Sequence, residues 1–146
     1  MNRFIFLSIF TLCSLSLTVL SAQNWQTDWE KTKLESKQTN KKIVLVFSGS
    51  DWCIPCIKLE KEIWITPEFI SYASKNYLLF RADFPKRKKN KLPDQIQERN
   101  DLLASKYNPK GYFPLVVILN SNHEVIGNLG YDSLPVKIYI EKIERF

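Results

Sequence analysis

The sequence predicts an α/β domain with a mixed central sheet flanked by helices on both faces, and three observations carry that expectation. Residues 43–47, Ile-Val-Leu-Val-Phe, form a continuous apolar run rich in β-branched side chains, as a strand buried on both faces requires. Two further apolar runs, at residues 77–82 and 115–119, are separated from it and from each other by segments with helical spacing. A tight turn at Asn120-Ser121-Asn122 then joins the last run to a partner at residues 123–129, which makes a hairpin.

Residues 1–22 stand apart from this pattern. Asn2 and Arg3 precede an apolar run over residues 4–20, and Ser21-Ala22 supplies the small residues of a cleavage point, so 1–22 read as a secretory signal peptide and 23–146 as one domain. The run also reaches the length of a membrane span, which leaves an uncleaved N-terminal anchor as the second reading, one that would hold the chain in a membrane. Both readings export it. Cys13 follows Phe10-Thr11-Leu12 in mid-run, without the small residues of a lipid-anchor site.

The elements follow in order. Residues 25–38 are polar with apolar positions at Trp25, Trp29 and Leu34 and lack Gly and Pro, which predicts an amphipathic leading helix. After the strand at 43–47 comes the turn Ser48-Gly49-Ser50-Asp51-Trp52, and from Cys53 the pattern is helical, with Cys56, Leu59 and Ile63 on one side and Lys58, Lys61 and Glu62 turned elsewhere. Thr66-Pro67-Glu68 starts a new helix with a capping hydroxyl, a proline suited to the first turn and an acid at the positive end of the dipole. Phe69, Ile70 and Ala73 give that helix its apolar face. The strand at 77–82 is closed by Asp83-Phe84-Pro85. Pro93-Asp94 opens a helix on which Ile96, Leu103 and Tyr107 share a side, and Asn108-Pro109-Lys110-Gly111 is a turn before the strand at 115–119. Ser133 with Pro135 starts the last helix, with Val136, Tyr139, Ile140 and Ile143 at helical spacing. The two long crossovers imply parallel strands and the hairpin an antiparallel edge.

The formal net charge is +6, and much of the excess is local, in Lys86, Arg87, Lys88, Lys89 and Lys91. Such a run is expected to be a solvated loop, with a docking patch for an acidic partner or a membrane surface as the alternative. In an exported chain it is not read as a nucleic-acid footprint.

The chain has three cysteines, and outside the leading segment only Cys53 and Cys56 remain. A disulfide-stapled exported domain spreads its pairs over distant positions, whereas this pair closes a very short loop and restrains the unfolded chain weakly. Chemistry explains it better than architecture. A sulfur where a buried strand gives way to a helix meets unpaired N–H groups and the positive dipole end, both of which favour the thiolate. Cys53 is therefore expected to be the exposed nucleophile. Cys56, one turn on and facing inward, can resolve a mixed disulfide formed there in an intramolecular step. Asp51 is expected either to cap the helix or to oppose the anion, and Pro55 suits an early helical position. Other readings of the pair are a plain bridge, half of a zinc site and a Cu(I)-delivery site. Zinc lacks ligands, since His123 sits on the hairpin as a surface turn residue, and neither a metal nor an organic cofactor is expected.

Trp52-Cys53-Ile54-Pro55-Cys56 after the strand at 43–47, with Phe113-Pro114 before the strand at 115–119, resembles the active-site segment and cis-proline loop of the thioredoxin superfamily. The stretch from Phe47 to Trp64 is similar to exported bacterial thioredoxin-like proteins. The resemblance implies a thioredoxin-like fold in which Cys53 attacks, Cys56 resolves and Pro114 lies opposite them in a cis peptide bond. It also implies that Trp52, Ile54, Pro55, Phe113 and Pro114 form the surface a substrate touches, with the Phe113 backbone able to pair with an extended strand. From the residues alone, Pro114 can equally open a strand and Trp52 can equally be packing.

One position departs from the pattern. Phe47 stands where thioredoxins proper carry a buried aspartate, so proton transfer at the second cysteine falls to water, or to Lys58 or Glu60 if either turns inward.

The function expected is an extracytoplasmic protein thiol-disulfide oxidoreductase, acting as a monomer on cysteine-containing exported proteins and reset by a redox partner. A reductant is favoured over an oxidant or isomerase. The rival from a different class is a non-enzymatic binding module that uses the same surface.

Overall fold

The computed structural model describes residues 23–146. The leading segment 1–22, with Cys13, lies outside the described residues. A five-stranded sheet, whose strands in spatial order are Trp25–Gln26 (β1), Tyr77–Asp83 (β3), Lys42–Ser48 (β2), Leu115–Leu119 (β4) and Val125–Leu129 (β5), separates two helical layers.

The chain opens with β1 (Trp25–Gln26), which pairs parallel to Leu79 and Phe80 of β3 (Tyr77–Asp83). The leading helix was expected to start at Trp25. Instead α1 spans Trp29–Thr39, because Asp28 is extended and its carboxylate caps the helix by accepting from the Lys31 N–H at 3.0 Å. Its buried side also differs from the expectation. Leu34 is 60 % exposed, whereas Thr32 and Ser36 are fully buried. Their hydroxyls donate to the carbonyls of Asp28 and Lys41, so two small polar side chains face inward without an unpaired group.

The central strand β2 (Lys42–Ser48) is parallel to β3 and antiparallel to β4 (Leu115–Leu119). It is followed by α2 (Ile54–Leu59), a π-helical turn Glu60–Trp64, and α3 (Pro67–Asn76), which Thr66 caps. After β3, the basic segment folds a 3-10 turn at Lys88–Asn90 before α4 (Asp94–Tyr107).

The second crossover was expected to return a parallel strand, and it does not. Asn100, in mid-helix, donates to the Asp83 carbonyl at the C-terminal end of β3, so α4 lies near that end instead of retracing the strand. The chain re-enters where it left, and Leu115 pairs with Phe47 in an antiparallel ladder. β5 (Val125–Leu129) completes the hairpin, two residues later than expected because the turn runs through His123, whose φ is 64°. In the last helix, α5 (Val136–Glu144), Pro135 is the boundary residue, and Ser133 has a left-handed φ of 50° that removes it from the cap.

Each sheet face carries its own core. Val44, Val46, Leu79, Val116 and Ile118 pack under α2, the π turn, α3 and α5 through Leu59, Ile63, Trp64, Phe69, Tyr139 and Ile143. On the other face Ile43, Leu45, Phe47, Phe80, Val117 and Leu119 meet Leu103 of α4 and Trp29 of α1. This two-sided burial is why β2 and β4 read as unbroken apolar runs. Among the described residues no helix is long and apolar enough to cross a membrane.

Candidate active site

The site forms where β2 leaves the core. The residues after Ser48 have no strand partner, so their backbone is held by a local turn, with the Trp52 and Cys53 N–H groups both donating to the Gly49 carbonyl. Ser50 fastens that turn to the end of β3, donating its N–H and its hydroxyl to the two oxygens of Asp83. The Phe84 N–H closes the junction by donating to the Ser48 carbonyl at 2.8 Å. Gly49 is required by space: a Cβ there would fall 2.4 Å from the Trp52 ring.

Cys53 and Cys56 form a disulfide, with S–S 2.11 Å and Cα–Cα 5.2 Å. Cys53 is itself the N-cap of α2, and its sulfur accepts from the Cys56 N–H at 3.3 Å. The cap position expected for Asp51 is thus taken by the Cys53 sulfur. Pro55 sits in the first turn, where its missing N–H leaves no bond unmade. Cys53 was expected to be exposed, yet both cysteines are only 4 % exposed. The helix-directed cap and the bond to inward-facing Cys56 draw it down, and the solvent-facing part of the motif is Ile54, 65 % exposed.

Trp52 forms one wall. Its indole N–H donates to the Phe84 carbonyl at 2.7 Å, and its ring meets Phe113 edge-on at 5.5 Å between centroids. Lys86 Nζ lies 3.8 Å from the ring centroid on a face of the same indole. With 36 % of its surface exposed, Trp52 is both packing and rim. The Phe113–Pro114 peptide bond is cis, and it immediately precedes Leu115, which pairs with Phe47 at the end of the sheet from which Cys53 emerges. The contact between Phe113 and Trp52 ties this loop to the residue before Cys53.

The groups considered for proton transfer are placed as follows. Phe47 is fully buried in an apolar cluster, so nothing there ionises. Lys58 is exposed. Glu60 turns inward far enough to pair with Arg81 of β3, whose guanidinium also lies 4.0 Å from the Trp25 ring centroid. Among the described residues no cluster of three His, Cys, Asp or Glu side chains is spaced to hold a metal. His123 is a turn residue with Nε2 3.0 Å from the Lys33 carbonyl.

Asp51 neither caps the helix nor faces the sulfurs. It accepts from the Lys86 and Arg87 N–H groups and from the Asn90 amide, at 2.9, 3.0 and 2.8 Å. Sequence reasoning missed this staple and that of Asp83, because their partners lie more than thirty positions away and leave no local pattern. The Lys86 amide, aided by Asn90 and Arg87, holds the Asp51 carboxyl below the ordinary aspartate range against the opposing effect of desolvation. A carboxyl depressed by folding stabilises the fold above the unfolded-state value, and the contribution is lost as pH falls through the folded value. The Lys86 and Arg87 amide resonances are therefore expected to titrate with a midpoint below that of a free aspartate in an NMR pH series. Asp51→Asn is expected to abolish that transition, and its persistence in this variant would assign it to another group.

A family described as thioredoxin-like matches residues 24–121. The chain is 32 % identical over 126 residues to the disulfide bond reductase DsbH of Chlamydia pneumoniae, covering 86 % of this chain and 74 % of that protein. It is 27 % identical over 132 residues to the thioredoxin-related protein DsbJ of the same organism, covering 84 % of this chain but 37 % of that longer protein. Among solved structures, a DsbH oxidoreductase superposes with a TM-score of 0.78 at 27 % identity, over 86 % of this chain and 84 % of that one.

Proposed function

The chain belongs to the thioredoxin-like family, and on that premise we propose that it is an extracytoplasmic protein thiol-disulfide oxidoreductase that acts chiefly as a reductant. The observation that carries the reading is the Cys53–Cys56 disulfide at the leading end of α2, set at the same end of the sheet as a cis proline. The similarity to a protein described as a disulfide bond reductase favours the reducing direction. Residues 1–22 serve as the export signal and 23–146 as the working domain. The substrates are cysteine-containing exported proteins, and a second redox protein returns the pair to the dithiol.

In this mechanism the Cys53 thiolate attacks one sulfur of a substrate disulfide, forming a mixed disulfide and releasing one substrate thiolate. The Cys56 sulfur, as thiolate, then attacks Cys53 Sγ and releases the second substrate thiol. Two electrons pass to the substrate, and the chain is left with the disulfide described above. The N–H of Cys56, aimed at Cys53 Sγ, favours negative charge on the attacking atom. Trp52, Ile54, Pro55, Phe113 and Pro114 form the surface on which the substrate strand lies. With Phe47 apolar and Glu60 paired to Arg81, water accepts the Cys56 proton.

An insulin-reduction assay on residues 23–146 tests the reading. Activity in the parent and none in Cys53→Ser is expected; equal activity in both, or none in either, favours a binding module instead. A reduction potential near about −270 mV would fix the chain as an electron donor, and one near about −120 mV would reverse the direction.

A further inference from the structure

We propose that the basic loop 86–91 is a docking surface for acidic polypeptide, engaging carboxylates that flank the target cysteine of a substrate; this rests on the oxidoreductase reading and names its substrate class. An ordinary solvated loop carrying Lys86, Arg87, Lys88, Lys89 and Lys91 would relax by spreading its charges. This one is held folded. The Lys88–Asn90 turn is closed by Asn90 and Lys91 N–H groups donating to the Arg87 and Lys88 carbonyls, and Asp51 gathers three donors from the loop.

Asp51 is two residues before Cys53, so the cations and the reactive sulfur share one rigid unit. Lys86 lies directly on Trp52, and the backbone of Lys88, two residues further, is within about 7 Å of that of Lys86, inside the Debye length of about 10 Å at 0.1 M salt. Lys91 is engaged by Asp94, while among the described residues Lys88 and Lys89 form no ion pair. A cleft of about 480 Å³ opens between Lys86, Arg87, Lys88 and Lys91, with Pro85 and Leu92 supplying apolar wall. The rim beside the cysteines, Trp52 and Ile54, is uncharged and exposed. A partner that fits both parts is an extended segment with an apolar stretch at its cysteine and carboxylates to one side. A lipid surface fits less well, because seating it on a loop bonded to Asp51 and stacked on Trp52 would crowd the approach to Cys53.

The test uses two peptides that differ only in three Glu or three Lys beside a cysteine activated as its 2-thiopyridyl disulfide. Reduced protein attacks the peptide, the Cys53–Cys56 disulfide forms, and the peptide thiol and 2-thiopyridone are released, the latter read by absorbance. Each rate is divided by the same protein's rate with uncharged 2-hydroxyethyl disulfide, so any change in the chemistry itself cancels. The Glu peptide is expected to react about tenfold faster than the Lys peptide at low salt, the preference falling below about twofold in 0.5 M NaCl and in Lys88→Glu/Lys89→Glu. Equal normalised rates for the two peptides would overturn docking while leaving the oxidoreductase reading intact.

Should no disulfide be reduced, that reading fails separately, and docking is then decided by fluorescence anisotropy with the peptides carrying Ser for Cys. Salt-sensitive binding of the Glu peptide that weakens at least about fivefold in the double variant supports docking, and no binding overturns it. Binding to phosphatidylglycerol vesicles without discrimination between the peptides also overturns it, in favour of a membrane surface.

Discussion

Cys56→Ser is expected to turn catalysis into capture. The variant keeps the attacking sulfur at the head of α2 but has no second sulfur to complete the exchange, so turnover falls by at least about 10³-fold while a covalent adduct with the substrate accumulates. Non-reducing gels and intact-mass spectrometry read the adduct as the sum of the two masses, and a reductant disperses it. Cys53→Ser loses the same turnover and forms no adduct. The asymmetry between the two variants is the decisive result, since a plain structural bridge loses the same thing from either end. Iodoacetamide sharpens it: in the reduced parent, Cys53 is expected to alkylate faster than a free model thiol near neutral pH. Equal rates would remove the electrostatic basis of the mechanism.

Trp64→Ala is expected to cost about 3–5 kcal/mol of stability. The indole is 1 % exposed and meets Trp25, Phe69 and Tyr139 edge-on at centroid distances of 6.1, 4.8 and 5.6 Å. Removing it opens a cavity bordered by β1, α3 and α5 together, which no single neighbour can fill. Urea denaturation measures the loss, and a change under about 1 kcal/mol would mean that the cluster closes over the gap. Trp64 also ends the segment that begins at Cys53, so its removal loosens the far anchor of the reactive helix. Disulfide exchange in the folded fraction is expected to persist, which separates anchoring from chemistry.

What could be read from the sequence divides along physical lines. β2 and β4 were evident to within a residue because burial on both faces writes an apolar run into the chain itself. β1 was hidden, since two residues make no pattern and their strand character comes from the neighbouring β3. The buried side of α1 was misassigned because Thr32 and Ser36 are polar by composition, and become buriable only through hydrogen bonds to carbonyls that the fold puts in reach. The antiparallel sense of β4 depends on where α4 crosses, which one buried amide, Asn100, reports.

The site divides in the same way. Cys53, Cys56 and Phe113-Pro114 are local motifs and were readable as such. Asp51 and Asp83 are two acids in unremarkable surroundings until the fold brings residues 84–90 beside the turn, and Arg81 gains its role only when Glu60 and Trp25 converge on it. Residue identity disclosed which two sulfurs the fold pairs. The restraints on those atoms come from long-range contacts that no window of sequence contains.

The π turn at Glu60–Trp64 has a consequence for how this segment can vary. The Ile65 N–H reaches back five positions to the Glu60 carbonyl, so the coil here holds one residue more than regular winding accommodates, and Ile63 and Trp64 both face the interior as consecutive residues. The phase between the sulfur end and the aromatic end is therefore set by the number of residues between them. Exposed letters such as Lys58 and Lys61 can be respelled, and losing one residue is absorbed by a return of the wide turn to regular winding, whereas a further insertion would turn everything beyond it through roughly 100° and leave one of its two ends facing the wrong way.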